Sequence, residues 1–343
     1  MKKDNRLLWA DNLRFAATVA VVILHVSVSV EDGFETIPLR AWLTSVVYDV
    51  AVRWCVPVFV MLTGSFALHN YDGNFKNFLI KTFQRIILPF LFWSLVYLFY
   101  YNGGDLFGDK INSAAKIHLL LTKFATGTAV HLWFVYMIIG MYLLIPILNR
   151  WVRLNNKAEQ LFFLGLWVFF LFAKPLWDKY DISFDSSYFT GFIGYLILGN
   201  YLNNETRKVN SLLLLFIFLT ALLYTCVRTY YISVSLHEMN ETYMDNFMPN
   251  IVVMCGCIYL LFKNGCMKFP VKMGNIITNI SRYSYGIYLV HLLVLDLMLK
   301  YGNTFTAIHP LFYIPLLSLC CLLVSFVIIY VFNKIRYLRI VAG

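Results

Sequence analysis

The residues whose types and spacing could do chemistry are concentrated in the first apolar segment of the 343-residue chain. Asp11, Arg14 and His25 stand within this otherwise apolar stretch, and an ionisable group at membrane depth costs about 2.5–3.5 kcal/mol. His25 follows Arg14 by 11 residues. That spacing is about three helical turns, so both side chains project from one face, about 16 Å apart along the axis. A cation and an imidazole so placed could hold a ligand at one end and move a proton at the other.

Each of these side chains also has a structural interpretation. Asp11 precedes Arg14 by three residues and can pair with it on the same helix face, with Arg14 as a helix-end cation that reaches towards the membrane surface. His25 could be hydrogen-bonded between helices. Two such groups on one face, separated by a distance similar to the length of a coenzyme, favour a functional site.

The composition around this segment is that of a membrane protein. Hydrophobic residues make up 60% of the chain and charged residues 13%, whereas about a quarter of the residues in soluble domains are charged. The mean hydropathy is +0.69. No polar stretch is long enough for a soluble domain, so we predict one transmembrane domain over residues 1–343. The net charge of +10 is spread between apolar runs, which indicates membrane topology and excludes nucleic acid as the expected partner.

Ten apolar segments reach or approach the roughly 20 residues that a helix needs to cross the hydrocarbon core. Unpaired backbone groups are not tolerated in lipid, so each segment must be helical. We therefore predict an all-α polytopic membrane protein with about ten transmembrane helices. The segments are Leu7–Val30, Ala41–Leu68, Phe78–Tyr101, His131–Leu148, Leu161–Leu176, Tyr188–Leu202, Ser211–Ile232, Phe247–Phe262, Tyr283–Lys300 and Leu311–Phe332.

Charge in the connections predicts the orientation. Of the 28 basic residues, 18 fall on the side that holds both termini and eight on the other, where most acids lie. The positive-inside rule therefore places both termini in the cytoplasm. Lys2, Lys3 and Arg6 precede an apolar run that is too long for a signal-peptide core, so this run should remain as an anchor. The longest connection, Asn102–Val130, then lies outside, and Lys116–Phe124 within it could be a short interfacial helix.

The seven cysteines do not suggest a disulfide framework or a metal site. Most lie inside apolar stretches. Cys255 and Cys257 are separated by one residue, the wrong spacing for a zinc knuckle, and no histidine lies nearby at ligand spacing. We interpret them as small core residues and predict no metal.

Five sequence blocks occur in order along the chain. They are Arg14-x10-His25 inside Asp11–Ala16, Arg53–Gly64, Arg85–Pro89, His131–Phe134 and Ser284–His291. Together they resemble the signature of the acyltransferase-3 family of ten-helix membrane acyltransferases. The resemblance spans the whole chain, and the ordered set is specific although each block alone is weak. The chain is similar to the compact enzymes of this family that O-acetylate bacterial surface polysaccharides such as enterobacterial common antigen.

The resemblance implies acetyl-CoA or another acyl-CoA as the donor, which reaches the site from the cytoplasm across the bacterial inner membrane. Coenzyme A is polyanionic, and Lys81 and Arg85 stand where its phosphates would approach. Arg14 could hold a pyrophosphate or pantetheine oxygen and direct the thioester towards His25. Many relatives carry paired arginines ahead of the helix-three proline, whereas here Thr82 stands three residues before Arg85.

The implied acceptor is a hydroxyl of a polysaccharide or lipid-linked sugar. We assign His131, Trp133, Tyr285 and His291 to the acceptor side. Trp133 could stack on a sugar or serve as an interfacial anchor. His291 lies in the middle of its segment and is either a site residue or a structural one.

Asp49 and Arg53 in the second segment have two open interpretations. They are four residues apart with the acid first, the favourable order for a helical ion pair. Arg53 could instead steady the oxyanion of the tetrahedral intermediate, with Asp49 as its supporting partner.

The role of His25 also has two possible forms. A neutral imidazole can accept the hydroxyl proton as the thioester is attacked, or it can take the acyl group itself and pass it on. A rival interpretation is an exporter or flippase of a lipid-linked glycan. Broken midspan helices or inverted repeats would favour transport, and no clear internal repeat is visible. A membrane sensor or scaffold explains the sequence least well.

Overall fold

The computed structural model describes residues 8–108, 112–154, 156–179, 191–301 and 308–343. These residues form helices joined by turns and contain no strand, so the all-α prediction is confirmed. In chain order the helices are α1 (Leu8–Glu31), α2 (Leu39–Val52), α3 (Cys55–Asn70), α4 (Phe75–Thr82), α5 (Leu88–Phe107), α6 (Ser113–Thr126), α7 (Trp133–Arg153), α8 (Lys157–Lys179), α9 (Ile193–Asn204), α10 (Ser211–Leu236), α11 (Pro249–Lys263), α12 (Gly274–Arg282), α13 (Ser284–Tyr301) and α14 (Pro310–Lys334).

Eight helical segments among the described residues are long and apolar enough to cross a membrane. Two predicted spans are not among them. Leu161–Leu176 lies within α8, and Tyr188–Leu202 overlaps the 12-residue α9, with residues 188–190 outside the described part of the chain. The count of about ten spans and the cytoplasmic position of the termini stay predictions.

The chain folds into two compact units, each made from separate stretches of sequence. The first unit contains Met1–Asn70, Leu148–Ser284 and Asn303–Cys320. The second contains Tyr71–Ile147, Tyr285–Gly302 and Cys321–Gly343. The prediction of one domain over residues 1–343 stays a prediction.

Helix α1 is the central helix of the first unit. It packs against α2, α3, α11 and α12. Many of its buried residues are small or β-branched, such as Ala17, Ala20 and Val22. Small side chains let several helices approach one another closely, as is common in membrane interiors. The helix that carries Arg14 and His25 is therefore held by neighbours and not by lipid alone.

The second predicted span is broken between α2 and α3. Pro57 follows Arg53 by four residues, so it has no N–H for the Arg53 carbonyl, and its ring clashes with that carbonyl. The helix accordingly stops at Val52 and resumes at Cys55. The Trp54 indole N–H donates to the Ala51 carbonyl at 2.7 Å, which satisfies one group near the break. Arg53 thus stands at a helix interruption, which the hydropathy of the segment did not reveal.

Helices α3 and α9 touch through their backbones. A Cβ on Gly64 would lie 1.8 Å from the Leu196 carbonyl oxygen, and one on Gly199 would lie 2.1 Å from the Met61 carbonyl oxygen. The Ser65 hydroxyl donates across the same contact to the Gly199 carbonyl at 3.0 Å. Only glycine allows this separation, because any side chain would overlap main-chain atoms.

In the second unit, a tyrosine hydroxyl from α5 is inserted into the hydrogen bonding of α13. Tyr97 donates to the Leu289 carbonyl at 2.9 Å and accepts from the Leu293 N–H at 3.0 Å. Those two groups are four residues apart and would pair directly in a regular helix. The Tyr97 hydroxyl therefore bridges the pair and fixes α5 to the middle of α13.

The segment between α4 and α5 is a single π-helical turn over Phe83–Ile87. The Leu88 N–H bonds to the Phe83 carbonyl, five residues earlier. Pro89 follows immediately and cannot bond to the Arg85 carbonyl. The wider turn accommodates the proline within a continuous helical path.

The predicted short helix in the long connection is present as α6. Asn112 caps it, with its side-chain oxygen accepting from the Ala115 N–H at 2.9 Å. Gly127 ends it at a φ of +103°, a conformation that favours glycine. Its position at the membrane surface stays a prediction.

Candidate functional site

Arg14 in the first unit contacts residues of α1 and α12. Its Nη1 lies 3.5 Å from Asp11 Oδ1 and 3.5 Å from Ser281 Oγ on α12. The Ser281 hydroxyl donates to Asp11 Oδ1 at 2.9 Å. The predicted pairing with Asp11 is confirmed, and Ser281 is a partner that sequence reasoning missed.

His25 lies on the same continuous helix as Arg14. Because α1 runs unbroken over Leu8–Glu31, the spacing of 11 residues puts both side chains on one face. Both are half-buried, and Val22 and Val26 beside His25 are buried. His25 therefore lies at the margin of the helix packing. Its role in catalysis stays a prediction.

Arg53 is held by two acids of the first unit. Its Nη2 lies 2.5 Å from Asp49 Oδ2, one turn earlier on α2, and 3.2 Å from Glu241 Oε2 in the connection between α10 and α11. The ion pair with Asp49 that the spacing allowed is therefore present. Glu241 was not predicted as its partner, because it is 188 residues away in the chain.

Glu31 is a further buried acid of the first unit. It is the last residue of α1 and only 1% exposed. Its carboxyl group lies against that of Asp49. An acid directly after an apolar run looks like a loop residue, and only the packing of α2 against α1 shows that Glu31 is enclosed.

The predicted donor-side cations, Lys81 and Arg85, belong to the second unit. Lys81 lies in the last turn of α4 and Arg85 in the π-helical turn, and both are exposed. Tyr285, which we expected on the acceptor side, donates from its hydroxyl to the Ile86 carbonyl at 2.8 Å. Tyr285 is therefore grouped with the donor-side segment, because its contact fixes the backbone next to Arg85.

Two predicted acceptor-side histidines meet in the second unit. His131 precedes α7 and His291 lies on α13, and their ring centroids are 5.2 Å apart. Both are fully buried. His291 Nδ1 lies 2.6 Å from the Tyr288 carbonyl oxygen, and the Tyr288 hydroxyl donates to the His131 carbonyl. The structure thus brings together two imidazoles that are 160 residues apart in the chain.

Aromatic rings enclose this histidine pair. The His131 ring centroid lies 5.2 Å from that of Tyr97 and 5.3 Å from that of Tyr288. Trp133, two residues after His131, is 42% exposed. Its indole is therefore accessible, which suits both the sugar-stacking and the interfacial-anchor interpretations.

No group of three or more His, Cys, Asp or Glu side chains is arranged for a metal ion within the described ranges. The candidate site residues in each unit are polar, charged and aromatic side chains. The first unit contributes Arg14 and His25 on α1, together with Arg53 and the acids Asp49 and Glu241 that contact it. The second contributes the Lys81–Arg85 segment and the histidine pair.

The family follows from comparison with known proteins. A family model described as an acyltransferase domain, Acyl_transf_3, matches residues 7–330. The chain belongs to this acyltransferase family. The match includes every candidate site residue and most of both units. With its apolar helices, this member of the Acyl_transf_3 family is a multi-pass membrane acyltransferase.

Two relatives of this acyltransferase carry names that concern polysaccharide export. A protein of Staphylococcus epidermidis named "Probable poly-beta-1,6-N-acetyl-D-glucosamine export protein" is 24% identical over 260 residues, which are 73% of this chain and 70% of that protein. A protein of the same name from Staphylococcus aureus strain MSSA476 is 22% identical over 303 residues, 85% of this chain and 83% of that protein. No solved structure matches the chain.

Proposed function

We propose that this membrane acyltransferase moves an acetyl or other short acyl group from cytoplasmic acyl-CoA to a hydroxyl of a cell-surface polysaccharide or lipid-linked glycan. It acts in the bacterial plasma membrane with both termini in the cytoplasm. The observation that carries the proposal is the unbroken α1, which presents Arg14 and His25 on one face in a chain of the acyltransferase family. The relatives' names support a polysaccharide as the acceptor.

The reaction requires one proton acceptor and one site for negative charge. The acceptor O–H bond breaks, its oxygen attacks the thioester carbonyl, a C–O bond forms and the C–S bond breaks. His25 takes the hydroxyl proton, and the leaving thiolate is protonated to give free coenzyme A. In the alternative route, a His25 nitrogen attacks the thioester carbonyl, the C–S bond breaks and the leaving thiolate takes up the imidazole proton to give coenzyme A. The hydroxyl then attacks the acyl-imidazole, the C–N bond breaks and the imidazole takes the hydroxyl proton.

The cations have separate parts in this proposal. Lys81 and Arg85 are exposed and bind the phosphates of the donor. Arg14, whose contacts include Asp11 and Ser281, binds a pyrophosphate or pantetheine oxygen of the donor. The short contact of Arg53 with Asp49 favours a structural ion pair over the stabilisation of an oxyanion.

The proposal is tested with purified protein, labelled acetyl-CoA and membrane glycan. The wild-type protein should produce an O-acylated glycan whose label is released by alkali. His25→Ala should reduce transfer by at least about a hundredfold, since general bases contribute that much or more. The matched control is His118→Ala, because His118 is exposed on α6. Near-normal acyl transfer by the His25→Ala variant would contradict the proposal.

A second candidate function is export of the glycan without acylation. The break between α2 and α3 at Arg53–Trp54 favours it, because discontinuous helices are common at transporter binding sites. The relatives' names also mention export. Protein reconstituted in vesicles distinguishes the two functions. Glycan that crosses the membrane unlabelled supports export, and alkali-labile label on the glycan supports acyl transfer.

A further inference from the structure

Three carboxyl groups of the first unit surround Arg53 near the end of α1 that lies away from Arg14. Glu31 and Asp49 are buried, whereas the side chain of Glu241 is 52% exposed. Arg53 bonds to Asp49 at 2.5 Å and to Glu241 at 3.2 Å. The positive charge of the Arg53 guanidinium is thus shared by two buried acids and one acid at the surface.

Three of the four oxygens of the two buried carboxyl groups lack a hydrogen-bond donor among the described residues. Both oxygens of Glu31, and Oδ1 of Asp49, are enclosed and accept no hydrogen bond from the described residues. The two carboxyl groups lie against each other. Two ionised carboxylates in contact, away from water, repel each other and lose their hydration. A single proton shared by the two carboxyl groups removes one negative charge and supplies an O–H donor for one of these oxygens.

Apart from Arg53, the titratable groups that act on this pair carry no positive charge that could balance it. The remaining titratable side chains that act on it are the thiols of Cys55 on α3 and Cys226 on α10, together with the Glu241 carboxylate. Of the residues that the structure describes, Arg53 is the cation in contact with the pair. Its charge balances one carboxylate, so the second acid needs a proton to be neutral.

We propose that Glu31 and Asp49 form a buried proton-binding site. The two carboxyl groups hold one exchangeable proton between them, Arg53 balances the other charge, and Glu241 exchanges protons with water at this end of α1. Ionisable groups at membrane depth commonly serve as proton relays. The inference rests on contacts and charge within the first unit, and it does not depend on acyl transfer.

Infrared spectroscopy of the purified protein in lipid nanodiscs tests the proposal without any substrate. At neutral pH the wild-type protein should show the carbonyl band of a protonated carboxyl group, and this band should shift in heavy water. Glu31→Gln should remove the band, because Asp49 then stays ionised against Arg53. Asp49→Asn should also remove it, because Glu31 becomes the partner of Arg53.

Two more variants separate the proton site from a general loss of structure. Arg53→Gln should increase the band about twofold, because both acids then need a proton. Glu241→Gln should keep the band but slow its shift in heavy water by several-fold. The matched control is Glu238→Gln, because Glu238 is an exposed acid of the same connection, whereas the ion pairs of Arg53 within the described ranges are with Asp49 and Glu241. This control should change neither the band nor its rate of shift.

Comparison of the wild-type and Glu31→Gln spectra tests the proton-binding site even if another variant does not fold. Glutamine has the shape of glutamate and carries no charge, so this variant should elute as the wild-type protein does. An infrared difference spectrum without a protonated-carboxyl band would overturn the inference. Failure of the His25→Ala test would leave it intact, since no acyl donor or acceptor is present in the spectroscopic measurement.

Discussion

In each of the first two apolar segments, an arginine is paired with an acid one helical turn earlier. Arg14 bonds to Asp11 and Arg53 to Asp49, as the spacings of three and four residues predict. Their second partners, Ser281 and Glu241, lie far away in the chain. Pairs within one helix could therefore be predicted from the sequence. The second partners could not, because they depend on which helices pack together.

Arg85 allows a test of donor binding at the level of one side chain. We expect Arg85→Gln to raise the KM for acyl-CoA about tenfold with little change in kcat, because one charge-assisted contact of about 1.4 kcal/mol is lost. Lys76→Gln removes a similarly exposed charge from α4, away from the π-helical turn, and should leave KM unchanged. Steady-state kinetics measures both. Equal effects of the two changes would show that only general positive charge matters.

Tyr285 and His291 belong to one sequence block but have different neighbours in the structure, and their place on the acceptor side stays a prediction. The block Ser284–His291 suggested one common role, but a helix presents successive side chains in different directions. Tyr285 fixes the backbone beside Arg85, whereas His291 lies against His131 further along α13. The sequence identified the helix but not which of its residues share a surface.

The apolar segments of the sequence predicted most of the helices, with ends within a few residues. α1, α10, α11, α13 and α14 agree closely with their predicted ranges. The interruptions were not predicted, because hydropathy does not report hydrogen bonding. Both interruptions follow from proline chemistry: Pro57 breaks the helix at Arg53, and Pro89 is accommodated by a π-helical turn.

The contact between α3 and α9 provides a test at the level of helices. Gly64→Ala should lower the free energy of unfolding by about 3 kcal/mol, because the new methyl group would overlap the Leu196 carbonyl. Gly256→Ala on α11 is the control, since a Cβ there meets nothing within 4 Å, and alanine favours the helix. Thermal unfolding of the purified proteins in detergent compares them. Equal midpoints would contradict the close backbone contact.

The whole molecule combines local features that the sequence revealed with distant ones that it did not. Composition and charge predicted a multi-pass helical membrane protein, and the ordered blocks indicated the family. The meeting of His131 with His291, and of Glu31 with Asp49, required the tertiary structure. The members of each pair are not related by a helical spacing from which their contact could be predicted.

The orientation in the membrane can be tested with a native residue. Cys266 is exposed between α11 and α12, in a connection that the positive-inside rule places in the cytoplasm. A membrane-impermeant maleimide should label it in inverted vesicles and not in intact cells. Cys266→Ala shows which part of the label belongs to this thiol. Labelling in intact cells would reverse the predicted orientation.

The glycine contact between α3 and α9 also bears on how the first unit can move. Two helices whose main chains are in contact cannot slide past each other without overlap of backbone atoms. We therefore expect α3 and α9 to move together as a rigid body. Helix α2 is separated from α3 by the interruption at Arg53–Trp54, which makes that joint the natural pivot. The Arg53–Glu241 ion pair ties this joint to the connection between α10 and α11.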